Sequence, residues 1–344
     1  MPLPLPHSRR RLLQGALTVL ATSALWVAQP AHAETGTVRI AKQFGLPYLP
    51  LIVAQDQGLI EKHAQALGVA PLQVEWVQLA SGTGVTEALL AGAVDFTGGG
   101  IGPLLLLWDR TQGKLGVKAV AGLDGSTAFL TSNNPAVKTV ADFTEKDRIA
   151  LPGVKVSAQA QWLQLAASRI WGIENYTRLD HLTVSLPHPD ATAALIGGKS
   201  EITANFAVAP FAYQQIASPN VHVVTTSDEI LGGPATNTFL YGTTAFRNAN
   251  PQVFKAVFEA VREAHQRIAA DKAEAARAYV RVTQSKQTPE EILAILNNPA
   301  QRAVLAARGT YAQAEFLNRI GTLKTKPVSW KDYVFPELQA LEGS

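Results

Sequence analysis

Apolar residues recur along the chain in two rhythms: short strand-like runs, and longer stretches in which about every third or fourth residue is apolar. The first rhythm predicts strands and the second predicts amphipathic helices. From the front, Val38 to Ala41 reads as a short buried strand. A turn at Gly45 to Pro50 follows, then a helix with Leu51, Ile52, Ala54 and Leu59 on one side. "LQVEWVQL" predicts a strand over 72–79, followed by a loop over 80–84, a helix over 85–91 closed by Gly92, and a strand over 93–97. Three consecutive glycines, Gly98 to Gly100, come next. Gly102 is then the expected cap of another helix and Pro103 its first residue. Strands alternating with helices imply a mainly parallel sheet.

The second half repeats this plan. "ALLAGAVDFTGGGIGP" (88–103) aligns with "ALIGGKSEITANFAVAP" (194–210), which has one residue inserted before its proline. Gly92 falls on Gly198, Asp95 on Glu201, Thr97 on Thr203 and Gly99 on Asn205. Upstream, "VQLASGTG" (77–84) falls against "VSLPHPDA" (184–191), and "RIAKQFG" (39–45) against "RIALPGV" (148–154). Three matches in the same order predict two lobes of like topology. Residues 117–134 read as two strand pieces joined at Asp124-Gly125-Ser126, and residues 221–244 as a second such pair. The chain then crosses between the lobes twice. The expected division is 36–125 and 236–344 for the first lobe and 126–235 for the second. The tail is helical, with Asn250 as a cap, Pro251 at a first helical position and apolar spacing at Val253, Val257, Val261 and Ile268. "TPEEILAIL" (288–296) repeats the Thr-Pro helix start. The tail is expected to pack on the first lobe.

The N-terminus adds an address. "SRRRLLQ" leads into the apolar "GALTVLATSALWVA" and an A-x-A site at Ala31 to Ala33. Residues 1–33 thus read as a cleaved export signal of the twin-arginine kind, with an ordinary Sec signal as the alternative. Arg9, Arg10 and Arg11 account for the whole net charge of +3, because that segment holds no acid. What remains has bases and acids in equal number, so no basic patch for nucleic acid is implied. The chain has no cysteine, which excludes disulfides, thiol nucleophiles, thiolate metal sites and a lipidated cysteine anchor. No G-x-S-x-G, H-E-x-x-H or Walker loop occurs. Beyond residue 33 the histidines are His63, His181, His188, His222 and His265, with no metal-ligand spacing among them. Neither a metal nor a cofactor is expected.

In an open α/β sheet, ligands sit beyond the carboxyl ends of the strands, against helix N-termini. The glycines of "TGGGIGP", Gly99 and Gly100 above all, are read either as backbone bared to a ligand or as a tight turn. Asn205 and Phe206 would then face Gly99 and Gly100 across a cleft. Ser81, Gly82 and Thr83 offer hydroxyls and N–H groups to a ligand or as helix caps. Ser157 and Gln159 reach the cleft from a helix that starts near Ser157, with Gln161 and Gln164 on its outer face. Trp162 stacks on a ligand or packs in the core. Gln43 and Lys42 follow the first strand, Lys42 either neutralising an anion or standing at a solvated rim. His188 occupies the loop that matches Ser81, and Asp190 reads as the cap of the next helix. Asp124 reads as a hydrogen-bonder at the first crossing. Gly232, Gly233 and Asn237 stand at the second crossing as pocket wall or hinge.

The export signal, the two repeated lobes and the segments "QGLIEKHA", "ASGTGVTEALLAGAVDF", "PDATAALIGGKSEITA", "NPQVFKAVFEAVREA" and "KPVSWKDYVFPE" together make the chain similar to a family. It resembles the periplasmic solute-binding proteins of ABC importers for nitrate, sulfonate and taurine. The resemblance implies a two-lobed type II binding-protein fold, each lobe a mainly parallel sheet flanked by helices, with two interlobe crossings. It implies no cofactor and no catalysis. It also implies a monomer that captures a small organic or inorganic anion between its lobes and hands it to the transmembrane subunits of a permease. The family's cleft loops map to Gln43, Ser81 to Thr83, Gly99, Gly100, Ser157, Asn205 and Gly233. No arginine stands in those loops, a departure from what a doubly charged oxyanion calls for. That leaves a monoanion or a neutral organic solute, with Phe44, Tyr48, Phe206 and Trp162 available to an apolar portion. A periplasmic enzyme on the same fold and a sensor partner for a membrane kinase are the alternatives.

Overall fold

The computed structural model describes residues 34–344, apart from Ala70 and Ser81, together with Met1. The expected export signal therefore lies, Met1 aside, outside the described residues. Four strands come first: Thr37–Lys42 (β1), Gln73–Gln78 (β2), Phe96–Gly100 (β3) and Val117–Asp124 (β4). The chain then builds Phe129–Ser132 (β5), Ile149–Leu151 (β6), Thr183–Ser185 (β7), Ala204–Ala207 (β8) and His222–Thr226 (β9), and returns as Thr238–Thr243 (β10). These make two five-stranded sheets, ordered β2-β1-β3-β10-β4 and β7-β6-β8-β5-β9.

The repeat seen in the sequence is a repeat of topology. In each sheet the first three strands of the lobe run parallel, and the strand arriving from the other lobe lies antiparallel between its neighbours. That incoming strand is β10 in the first sheet and β5 in the second. It enters at the end where the other strands leave, so it must run against them. The result is two α/β lobes, mainly parallel, joined by the stretches β4–β5 and β9–β10. A short helix, Ser227–Leu231, interrupts the second of these and was not foreseen; Thr226 caps it by accepting from Glu229 N.

Both faces of the first sheet are buried, as a parallel sheet requires. Along β10, Phe239 and Tyr241 enter one apolar core and Leu240 the other. The tail helix Pro251–Ala270 buries Val253, Val257, Val261 and Ile268 in the core that holds Ile40 and Leu240. Asn250 stands at its N-cap position and Pro251 follows, but the capping group is the Glu34 carboxylate, which accepts from Gln252 N and Val253 N at 2.8 and 2.7 Å. Asp190 is not a cap either. Its helix begins at His188, so Asp190 sits in the first turn.

The glycines of "TGGGIGP" correct the sequence reading most. They form the end of β3 rather than a turn after it, and the next helix starts directly at Ile101 with Gly100 as its cap, not Gly102. The helix expected over 85–91 likewise starts at Gly82. The glycines are there because side chains press on the strand. A Cβ on Gly99 would stand 2.1 Å from the Tyr241 hydroxyl, and one on Gly98 would stand 2.9 Å from the Tyr48 ring. Both are far inside contact distance, so an added methyl must displace a buried aromatic ring.

Gly99→Ala is therefore expected to lower the unfolding free energy by about 1–3 kcal/mol in a urea titration. Adding Tyr241→Phe removes the nearest clashing atom and is expected to restore part of that loss. An equal loss with and without the hydroxyl would show that the contact is not the cause.

Candidate functional site

Between the two sheets lies a cavity of about 50 Å³ walled by both lobes and floored by both crossings. The first lobe contributes Gln43, Phe44 and Tyr48 from the turn after β1, Gly82 from a helix start, Gly100 from the end of β3 and Pro103 from the helix that follows. The second contributes Ser157, Gln159 and Trp162 from the helix Ala158–Trp171, His188 from the helix His188–Gly197, and Val208 beyond β8. Asp124, Ser126, Asn237 and Thr238 belong to the crossings. Helices beginning at Gly82, Ile101, Ala158 and His188 point their N-terminal ends at this space, where N–H groups lack partners within the helix.

The lobes are in contact around it. Leu46 N donates to Ala209 O at 2.8 Å. A Cβ on Gly102 would stand 2.6 Å from Gln161 Oε1, and one on Gly100 would stand 3.3 Å from the Ala158 Cβ. Trp162 Nε1 donates to Gln313 Oε1 at 3.1 Å, and Gln313 Nε2 donates to Gln161 Oε1 at 2.8 Å. Gln161 is thus buried between the lobes, not on an outer face. Gln164 is also buried, with its amide donating to both oxygens of Asp180. Trp162 is buried in the core against Phe206 and is also among the residues lining the cavity.

Of the residues singled out from sequence, Gln43, Gly82, Gly100, Ser157, Gln159 and His188 line the cavity. Gly99, Asn205, Phe206, Thr83 and Gly233 do not. Gly99 lies under Tyr241. Asn205 is wholly buried in the second sheet, donating from Nδ2 to Ala150 O and accepting from Gln215 Nε2 at Oδ1. Phe206 is buried against Trp162. The repeat places them opposite Gly99 and Gly100, but the lobes differ at this point. Three residues, Val208 to Pro210, separate β8 from the helix Phe211–Ile216, whereas β3 runs straight into its helix. Val208 therefore takes the position at the cleft. Thr83 is exposed on the first turn of its helix, and Gly233 lies beyond the wall with its N donating to Asp228 O. Ser81 lies outside the described residues. Lys42 is neither rim nor anion partner: it is 5% exposed, with Nζ donating to Gln55 Oε1 at 2.7 Å, and burial pushes its pKa down to about 8.

The electrostatics of the wall are one-sided. Among the described residues no Lys or Arg lines the cavity. Its acid is Asp124, whose pKa burial pushes up to about 6 against the opposing bonds from Ser126 and the charge of Arg302. His188 stacks on Phe211 at 5.8 Å between ring centroids, and burial pushes its pKa down to about 4, so it is neutral at pH 7. Ser157 Oγ accepts from Ala160 N at 3.1 Å, which caps its own helix. Sequence reasoning missed the role of Ser126 and of Arg302. The Arg302 guanidinium donates to Gly125 O, Thr127 Oγ1 and Asp228 Oδ2, holding the first crossing from outside. Nothing near Arg302 in the chain signals this, because its partners lie far away in sequence. Among the described residues no three His, Asp or Glu side chains gather as a metal ion would need, and no helix is long and apolar enough to cross a membrane.

Residues 31–283 match the sequence model of the NMT1-like family. No curated protein sequence matches the chain. Solved structures share the fold. The alkanesulfonate-binding protein SsuA of Xanthomonas axonopodis pv. citri, bound to MOPS, superposes with a TM-score of 0.67 at 20% identity, over 88% of this chain and 99% of that one. The periplasmic aliphatic sulphonate binding protein SsuA of Escherichia coli gives 0.64 at 19%, over 90% and 100%. The periplasmic nitrate-binding protein NrtA of Synechocystis PCC 6803 gives 0.69 at 18%, over 90% of each chain.

The raised pKa of Asp124 predicts a pH dependence. A carboxyl whose folded pKa of about 6 exceeds its unfolded value of 3.8 costs little below about pH 4, destabilises the fold progressively as pH rises from about 4 to 6, and adds no further cost above that. Asp124→Asn cannot ionise. Its unfolding free energy relative to wild type is therefore expected to rise by on the order of 2 kcal/mol between pH 4 and pH 7. Paired denaturant titrations at the two pH values measure this, and a pH-independent difference would refute it.

Proposed function

This chain belongs to the NMT1-like family, and we propose that it is the solute-binding component of an ABC importer. On this reading residues 1–33 are removed on export and the remainder works as a monomer in the periplasm, without cofactor. The lobes, 36–125 with 236–344 and 126–235, close on a small solute and present it to the transmembrane subunits of a permease. Gln43, Gly82, Gly100, Ser157, Gln159 and His188 hold the solute, joined by Tyr48, Asp124 and Asn237. Thr83, exposed beside Gly82, would act from the rim, and Ser81 precedes it in sequence as a further candidate.

One observation carries the reading: the cavity is enclosed by both lobes and floored by the two crossings. A solute seated there touches both halves, so its binding free energy favours the closed arrangement over an open one. The named relatives of the same fold bind alkanesulfonates, aliphatic sulphonates and nitrate, which supports a small polar solute here. Four helix N-termini and a wall of hydroxyls, amides and aromatic edges suit recognition by hydrogen bonding.

The test is a thermal-shift screen of the purified protein against alkyl and aryl sulfonates, taurine, nitrate, bicarbonate, aromatic carboxylates and pyrimidines. A ligand at 100 times its dissociation constant is expected to add about 2.7 kcal/mol to the folded state. Small-angle scattering of the free protein and the complex is expected to show a smaller radius of gyration with ligand. Turnover of a hit to a new product would refute a pure binding role.

A further inference from the structure

The floor of the cavity has a chemical polarity of its own. Asp124 is 7% exposed and Asn237 5%, and both line the cavity. They are adjacent, since Asn237 N donates to the Asp124 carbonyl at 2.8 Å. The Asn237 amide has a fixed orientation, because Nδ2 donates to Ser126 O at 2.9 Å and a carbonyl can receive only the amide nitrogen. That leaves Asn237 Oδ1 buried with no partner among the described residues. Among the described residues the Asp124 oxygens accept from Ser126 alone, Oδ1 from its hydroxyl and Oδ2 from its N–H. Each carboxylate oxygen has a second lone pair. Among the described residues no Lys or Arg lines the cavity to meet them, and the nearby Arg302 is occupied by Gly125, Thr127 and Asp228.

We propose that Asp124 and Asn237 form an acceptor subsite that takes an N–H-bearing group of the solute, an ammonium, amidine or amino-heterocycle nitrogen. This rests on the solute-binding reading above and names the chemistry that the pocket selects. An oxyanion placed on this floor meets a carboxylate and a bare amide oxygen, and both repel it. A donor placed there satisfies two buried acceptors at once. Discrimination of this kind is large, because a solute without the donor leaves the acceptors buried and unpaired. Any anionic portion of the solute is directed away from the floor, toward the helix N-termini on the walls.

The experiment uses matched solutes that differ by one amino group: taurine with ethanesulfonate, β-alanine with propionate, and 4-aminopyrimidine with pyrimidine. Titration calorimetry on the purified wild-type protein is expected to show the amino member of a binding pair at least tenfold tighter. Asp124→Asn is expected to remove that preference, lowering the ratio of amino to amino-free affinity tenfold or more. The wild-type comparison stands by itself if the variant fails to fold. Equal or tighter binding of the amino-free members, or of nitrate and methanesulfonate, overturns the subsite and leaves the solute-binding reading intact. Silence from every pair, in protein shown to be folded by a cooperative unfolding transition, overturns the subsite together with the reading it rests on.

Discussion

The two chain crossings, pinned side by side, are the constraint on which the rest of the molecule depends. Asn237 N bonds the Asp124 carbonyl and Asn237 Nδ2 bonds Ser126 O, so the outgoing and returning segments are tied to each other. Arg302 ties both to the tail through Gly125, Thr127 and Asp228. The tail adds backbone bonds from Gly125 N to Arg302 O and from Thr127 N to Ala300 O. Each bond contributes about 0.5–1.5 kcal/mol by itself. Acting on one short stretch, they fix where the lobes meet and what faces the cleft. The floor of the cavity is therefore also the junction, and a solute that touches Asp124 or Asn237 touches the element that sets the lobe geometry.

Closure has its own set of contacts. The chain from Trp162 through Gln313 to Gln161, and the bond from Leu46 N to Ala209 O, join surfaces that must separate for a solute to enter. Gly100 and Gly102 let the second lobe's helix approach as near as it does, since a side chain on either would meet Ala158 or Gln161. Apolar side chains share this interface, since one hydrophobic cluster holds Leu104 and Phe316 of the first lobe together with Trp162 and Leu163 of the second.

Charge separates this pocket from a simple anion trap. Burial lowers the charge of its wall without abolishing it: His188 is neutral at pH 7, while Asp124 keeps its proton longer than usual and is a carboxylate only above about pH 6. Selectivity then falls to hydrogen-bond direction, with donors at the helix starts and acceptors at the crossings. Lys42, a neighbour of the pocket in sequence, contributes nothing to this balance because it is turned under Trp76 and bonded to Gln55.

The sequence by itself determined the two-lobed plan. Periodicity located the strands, and the repeat of "RIA", of the helix starts and of the strand before each proline showed that one topology occurs twice. It also placed Gln43, Gly82, Gly100, Ser157, Gln159 and His188 at strand ends or helix starts, which is where an α/β fold puts a ligand. These are local properties, set by residues near one another in the chain. Tertiary structure decided the rest. It buried Asn205 and Phe206 within the second sheet and gave the cleft position to Val208, because Val208 to Pro210 separate β8 from its helix where β3 runs straight into its own. It made the glycines a seat for Tyr241 and Tyr48 rather than a bared backbone, and it brought Arg302 to the crossings from the far end of the chain. Periodicity reports which face of an element is apolar. It does not report how close a distant side chain will approach, because that distance is fixed by packing between elements that the chain brings together only on folding.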